Sequence, residues 1–303
     1  MKPVDWHHVV FLGTAVITGF FVFLIVGFIF YTAAPVLAKE GLGFITGTEW
    51  SYHEHTYGIA IFLGGTLVLT AVTLALACPV GICTAVFLTE WAPVWLDRPV
   101  STLIELLVGI PSIIFGIFGF FVLEKVFRFH IDPFISSTLG FIPFFYDSNP
   151  DSGTGVLLAA TVLALMILPT IVTLSREAMR KVSNEYREAS LTLGATKWET
   201  IKKVVLPVAL PGILTAVILG MMRAMGETMA VVMLLGNAKK VPVSIFDQGY
   251  AMTSKILNDI GGYVIYDEPR SALFAIGAVL FALEFIFVAA IRFVSAHYQK
   301  RTG

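Results

Sequence analysis

Charge is scarce in this chain. Only 14% of its 303 residues are Asp, Glu, Lys or Arg, where a soluble domain carries about a quarter. Hydrophobic residues reach 57% and mean hydropathy is +0.84. Together these exclude a soluble domain and point to a protein of the lipid bilayer. The formal net charge of −1 offers no basic balance for nucleic acid. Cysteine is scarce too. Cys78 and Cys83 are the only two, and five residues apart on a helix they diverge, as small buried hydrophobes do. No G-x-x-x-x-G-K-[ST] phosphate loop is present. If this chain pumps, its energy comes from elsewhere, and neither a catalytic residue nor a cofactor is expected here. His53, Glu54 and His55 are too few to suggest a metal site. The chain shows no internal repeat, which weighs against secondary transporters built on inverted repeats.

Long apolar runs are what the sequence has instead. A membrane-crossing helix needs about 20 mostly apolar residues, and six segments qualify: about 9–33, 59–88, 103–124, 154–175, 206–235 and 271–294. The expected fold is all-α and polytopic, with residues 1–303 forming one transmembrane domain. The first run follows Lys2 and precedes Val36-Leu37-Ala38, so it has the outline of a signal peptide. It is much longer than the roughly 7–15 apolar residues of a signal core and reads as an uncleaved anchor. Six crossings put both termini on one side. Lys2, Arg98, the 176–203 segment, Arg292, Lys300 and Arg301 would share that side, twelve of the 20 Lys and Arg. Seven, including Lys125, Arg128, Lys239, Lys240, Lys255 and Arg270, would lie opposite, with Arg223 inside a crossing. The richer side is cytoplasmic by the positive-inside rule. Long external loops are expected at about 34–58, 125–153 and 236–270.

Between the fourth and fifth runs lies a short basic island, about 183–207. Ser183 is placed to cap a helix, with Glu185 in its first turn and Tyr186, Ala189 and Leu193 on one face. Gly194 sits where a left-handed residue ends a helix. Thr196 and Glu199 match a capping box that starts another, with Ile201, Val204 and Val205 on its apolar side and Pro207 at entry to the fifth crossing. This island resembles the coupling loop of ABC-importer permeases, E-A-A-x(3)-G-x(9)-I-x-L-P. It matches at Glu188, Ala189, Gly194, Leu206 and Pro207, and departs with Ser190 for the second Ala and Val204 for Ile. The resemblance implies a type I permease fold and docking of the island on a separate ATPase.

The fifth run holds Arg223-Ala-Met-Gly-Glu227-Thr-Met-Ala. An arginine inside a crossing costs about 2.5–3.5 kcal/mol on insertion scales and usually has a function or a partner. Spaced i,i+4, Arg223 and Glu227 would share one helix face. The segment is similar to phosphate ABC permeases, above all their C-type subunit. So are Phe44-Ile45, Trp50 and Tyr57-Gly58, Phe87-Leu88-Thr89-Glu90 with Ala92-Pro93, Glu105, and Gly109-Ile110-Pro111-Ser112-Ile113 with Gly116. A guanidinium binds a tetrahedral anion well. A carboxylate accepts the proton that phosphate keeps and sulfate lacks. One reading therefore puts Arg223 and Glu227 on the substrate path; the other has them neutralise each other or bond to a partner. Gly109, Pro111, Gly116 and Gly119 have two readings as well: close helix packing, or a broken helix whose free N–H groups and Ser112 line the path. The resemblance does not explain Glu284.

The resemblance implies a permease subunit of an ATP-driven importer of inorganic phosphate, without an ATPase site of its own. Its partners would be a homologous permease in a heterodimer, cytoplasmic ATPase subunits and an external phosphate-binding protein. It would sit in a prokaryotic cell membrane, the inner one in a Gram-negative cell, with both termini cytoplasmic. The alternatives are a permease for molybdate, sulfate or phosphonate, or a proton-coupled transporter using Glu227 or Glu284.

Overall fold

The computed structural model describes residues 6–147 and 149–302. Lys2 lies outside them, as do the side chains of Lys300 and Arg301. Among the described residues, five helices are long and apolar enough to cross a membrane, and a sixth crossing exists if one sharply bent helix pair is counted as a unit. The chain packs as two compact units, residues 1–60 with 256–282, and 61–255 with 283–303.

In the first unit, α1 (Trp6–Glu40) is 35 residues long, about 52 Å at 1.5 Å per residue. It runs past the expected boundary at residue 34 because its last turns remain apolar, and it ends at Gly41, whose φ of +55° suits glycine. A hairpin follows, β1 (Trp50–Ser51) against β2 (Thr56–Tyr57), with Trp50 opposite Tyr57. Tyr52 stacks on Tyr263 at 3.7 Å and its hydroxyl donates to Asp259. Glu268 accepts from Lys39 and lies 2.5 Å from His55 Nδ1.

The second unit contains α2 (Ala60–Glu90), α3 (Val94–Val108), α4 (Ser112–Leu139), α5 (Val156–Arg180), α6 (Asn184–Thr192), α7 (Lys197–Gly226) and α8 (Met229–Leu234). Two further helices run between the units along the chain, α9 (Met252–Tyr263) and α10 (Asp267–Thr302). α5 is the centre of the packing. Its residues Leu163, Ile167 and Ile171 are fully buried. Glycines let the neighbouring helices close on it: a Cβ on Gly81 would stand 2.8 Å from Ile171, and one on Gly212 would stand 2.4 Å from Ala178. Close approach through small residues is how helices associate where lipid gives no hydrophobic drive.

Three boundaries differ from the hydropathy reading. The third crossing is two arms, α3 and α4, meeting at 97°. Pro111 has no N–H to continue the ladder, and its φ of −58° with ψ of 139° turns the chain. α4 then continues to Leu139 instead of ending near 124. Two of its polar residues there face the segment before α5: Glu124 accepts from the Gly153 N–H at 3.4 Å, and Arg128 lies 4.0 Å from Asp151. The fifth crossing starts early and stops early. α7 begins at Lys197, and a wide π-turn over Ile201–Val205 absorbs the missing donor and bulky ring of Pro207. It stops at Gly226, and α8 follows as a separate helix. α9 forms inside what hydropathy reads as a loop; its first N–H, on Met252, donates to Thr66 Oγ1 at 2.9 Å.

Candidate functional site: a coupling island and a broken crossing

The island folds as its end signals require. Ser183 Oγ accepts from the Glu185 N–H at 3.2 Å and starts α6. Gly194 ends it with φ +87°. The capping box is complete: Thr196 Oγ1 accepts from the Glu199 N–H, and Glu199 Oε2 accepts from the Thr196 N–H at 3.0 Å. Ile201 and Val205 are buried in a cluster with Leu88, Ile104, Val172 and Met179. On the other side, Tyr186, Glu188, Ala189 and Leu193 are exposed, Leu193 by 89%. Leu206 and Pro207, at the start of the membrane-entering part of α7, are half-buried. The island thus presents an apolar strip with Glu188 beside it to the solvent, while its base is rooted in the core.

The roots were not legible in the sequence. Arg187 forms a pair with Glu90 at 2.5 Å, both side chains largely buried at 19% and 7% exposed, and donates to the Met179 carbonyl at 3.0 Å. Lys197 donates to the Glu90 carbonyl, and Trp198 stacks on Trp91. Beside them, Arg176 bonds Asp97 and Ser101, and Arg180 lies 3.6 Å from Asp97. Apart from Arg187 and Met179, these partners stand 75 or more residues apart in the chain, and no local pattern announces them.

The second region is the break after α7. Glu227 does not continue the helix as the i,i+4 spacing predicts. Its backbone is extended at ψ 131°, and its Oε1 accepts from the Ala230 N–H at 3.3 Å, capping α8. The two charged groups therefore do not share one helix face. Among the described residues Arg223 has no ion pair or hydrogen bond and is half-buried. Thr253 of α9 donates to the Glu227 carbonyl at 2.9 Å and holds the break from the far side. Ser112, half-buried, opens α4. α4 packs on α8 through its glycines: a Cβ on Gly116 would meet Met233 Sδ at 2.9 Å, and one on Gly119 would meet Leu234 at 2.9 Å. Gly116 and Gly119 are therefore packing residues, while Gly109 and Pro111 make the bend. α4, which Ser112 opens, thus lies against α8, Glu227 lies in the break just before α8, and Arg223 lies in the last turn of α7.

Other charged residues fall in unexpected places. Lys255, counted with the external loop, is buried, its ammonium 5.3 Å from the Phe62 ring centre and 5.8 Å from that of Tyr250. Lys240 pairs with Asp247 at 2.6 Å. Burial opposes ionisation of Asp247, yet Lys240 and the N–H groups of Ser244 and Val243 hold its carboxyl below the ordinary range. Glu284 is half-buried, without an ion pair among the described residues.

Residues 77–300 match the family described as the binding-protein-dependent transport system inner membrane component. The chain belongs to that family. It is 38% identical over 269 residues to the phosphate transport system permease protein PstC of Xylella fastidiosa (strain 9a5c), covering 88% of this chain and 82% of the relative. With the PstC of Pasteurella multocida it shares 34% over 306 residues, 98% and 95% of the two chains. With the probable ABC transporter permease YqgH of Bacillus subtilis it shares 39% over 257 residues, 84% and 77%. Among solved structures it is similar to a bacterial ABC transporter for alginate (TM-score 0.58, 15% identity, 97% of each chain). It is also similar to the MetNI methionine transporter in an inward-facing state (TM-score 0.55, 20% identity, 82% of this chain and 99% of that one). The fold is the type I permease fold of ABC importers, in a multi-pass membrane protein of the transport apparatus.

Proposed function

We propose that this chain is the transmembrane permease subunit of an ATP-driven inorganic phosphate importer. It forms half of the translocation path and takes its drive from a separate ATPase. The observation that carries the substrate reading is the state of the broken crossing. Arg223 is a half-buried guanidinium with no carboxylate partner among the described residues. Four residues on, in the break, Glu227 accepts the Ala230 N–H through one oxygen, which leaves the other to accept the proton that phosphate retains near neutral pH. Two N–H groups of a planar guanidinium match two oxygens of a tetrahedral anion. Ser112, at the start of a helix packed on α8, adds a hydroxyl. The phosphate permeases named above support the same substrate.

The island supplies the coupling. Glu188, Ala189 and Gly194 lie on its exposed side, and Leu206 and Pro207 carry the chain from it into the membrane. The partners are a homologous permease completing the path, cytoplasmic ATPase subunits that bind the ATP, and an external phosphate-binding protein. The chain resides in a prokaryotic cell membrane with both termini cytoplasmic. Co-expression with the proteins encoded beside it tests the reading. An ATPase should co-purify with this chain, and labelled phosphate should accumulate in cells without competition from excess sulfate. Accumulation of sulfate, molybdate or phosphonate in preference to phosphate would reassign the substrate and leave the permease role intact.

A further inference from the structure

Beyond its buried base and the Arg187 bond to the Met179 carbonyl, the coupling island makes three polar and aromatic contacts that share a target. Arg187 of α6 pairs with Glu90, Lys197 donates to the Glu90 carbonyl, and Trp198 stacks on Trp91 with ring centres 5.8 Å apart. All three reach the turn between α2 and α3. Ser190 and Thr200 share a hydrogen bond of 3.0 Å, which ties the two helices of the island into one body. The far side of the same turn is also held: Asp97 and Ser101 of α3 are bound by Arg176 of α5. Four cytoplasmic helix ends are thereby cross-braced. The compliant points lie at the other ends of the attached helices. α3 finishes at the Gly109–Pro111 bend, and α7 finishes at the Gly226–Thr228 break. Neither is a continuous helix, so each can change its angle by rotation of a few backbone dihedrals, whereas packed helix interiors cannot.

We propose that Glu90 and Trp91 are positioning residues for transport: they lock the coupling island to the α2–α3 turn, so that movement imposed by the ATPase passes along α3 to the bend that presents Ser112. The inference rests on the reading of the island as the ATPase contact. A rigid arm explains why the pair is kept largely from water. A pair left open to solvent would be screened and would hold two long side chains only loosely, while Glu90 has a fixed guanidinium on its carboxylate and an ammonium on its carbonyl. Stacked indoles add a flat contact that resists sliding.

The test measures phosphate transported per ATP hydrolysed by the reconstituted complex. A Cys78→Ala, Cys83→Ala background carries Trp91→Cys with Trp198→Cys. Before cross-linking, the transport-to-hydrolysis ratio should fall at least fivefold, with the ATPase still bound and active. A short bifunctional methanethiosulfonate that joins the two cysteines should restore the ratio, and reduction should remove it again. A second variant, Glu90→Gln, should lower the same ratio without lowering ATPase co-purification. A ratio unchanged in both variants, or one that falls further when the cysteines are joined, would overturn the proposal, because the turn and island would then move independently. Absence of the ATPase from the parent complex would instead overturn the reading of the island.

Discussion

Arg223 and Glu227 stand four residues apart, and helix geometry alone would join them. The structure separates them because Glu227 is recruited as a cap: its carboxylate takes the Ala230 N–H, and the helix ends one residue before it. The sequence showed two charged residues in an apolar run, but not their arrangement, since a cap and an i,i+4 partner look alike until the helix end is known. The separation sharpens a prediction. If the pair merely neutralised itself, Arg223→Gln would be rescued by adding Glu227→Gln. With Arg223 serving the anion, both variants lose a charge-assisted bond of about 1.5–3 kcal/mol. Phosphate uptake should fall by roughly ten- to a hundred-fold in each, with assembly unchanged by gel filtration; recovery in the double variant would refute the path role. A second residue-scale expectation concerns Gly65, where a Cβ would stand 2.3 Å from the Tyr250 carbonyl oxygen. The obstacle is backbone and cannot rotate away. Gly65→Ala should destabilise the chain by about 1–3 kcal/mol, seen as a lower midpoint of thermal denaturation in detergent. An unchanged midpoint would mean that the Tyr250 backbone can move away from α2 at little cost.

At the level of elements, the island was read almost residue by residue because its signals are local. A hydroxyl cap, a left-handed glycine and a reciprocal capping box each involve neighbours within a few positions. The bend in the third crossing was half legible: Gly109 and Pro111 marked it, but the extension of α4 to Leu139, which brings Glu124 and Arg128 near Gly153 and Asp151, has no local signal. α9 was hidden because it mixes Lys255, Asn258 and Asp259 with apolar residues, a pattern that hydropathy assigns to a loop. Gly194 offers the element-scale test. Proline is confined to φ near −65° and cannot adopt the +87° found there. Gly194→Pro should misdirect α6 while leaving the crossings, whose packing lies elsewhere, intact. Membrane insertion should be normal and uptake should fall at least tenfold, as a lost docking geometry of about 1.4 kcal/mol or more would give. Full uptake with the ATPase bound would remove the island from the coupling path.

For the whole molecule, composition and the long apolar runs were enough to specify a multi-pass helical protein, because backbone groups in lipid must be satisfied within each segment. The family and fold followed from motifs spread over most of the chain. The long-range pairs that brace the island and the α2–α3 turn did not, and neither did the burial of Lys255, since both depend on which helices meet. Orientation is checked by cysteine labelling: Lys202→Cys should react with an impermeant maleimide only from the cytoplasm and Lys239→Cys only from outside, and the reverse pattern would invert the topology. The central claim, ATP-driven import of phosphate through this subunit, is tested most directly by uptake in proteoliposomes that contain the complete complex. Labelled phosphate should accumulate only when ATP is supplied on the ATPase side, continue when the proton gradient is collapsed, and resist excess sulfate. Accumulation that needs the proton gradient and proceeds without ATP would contradict the account.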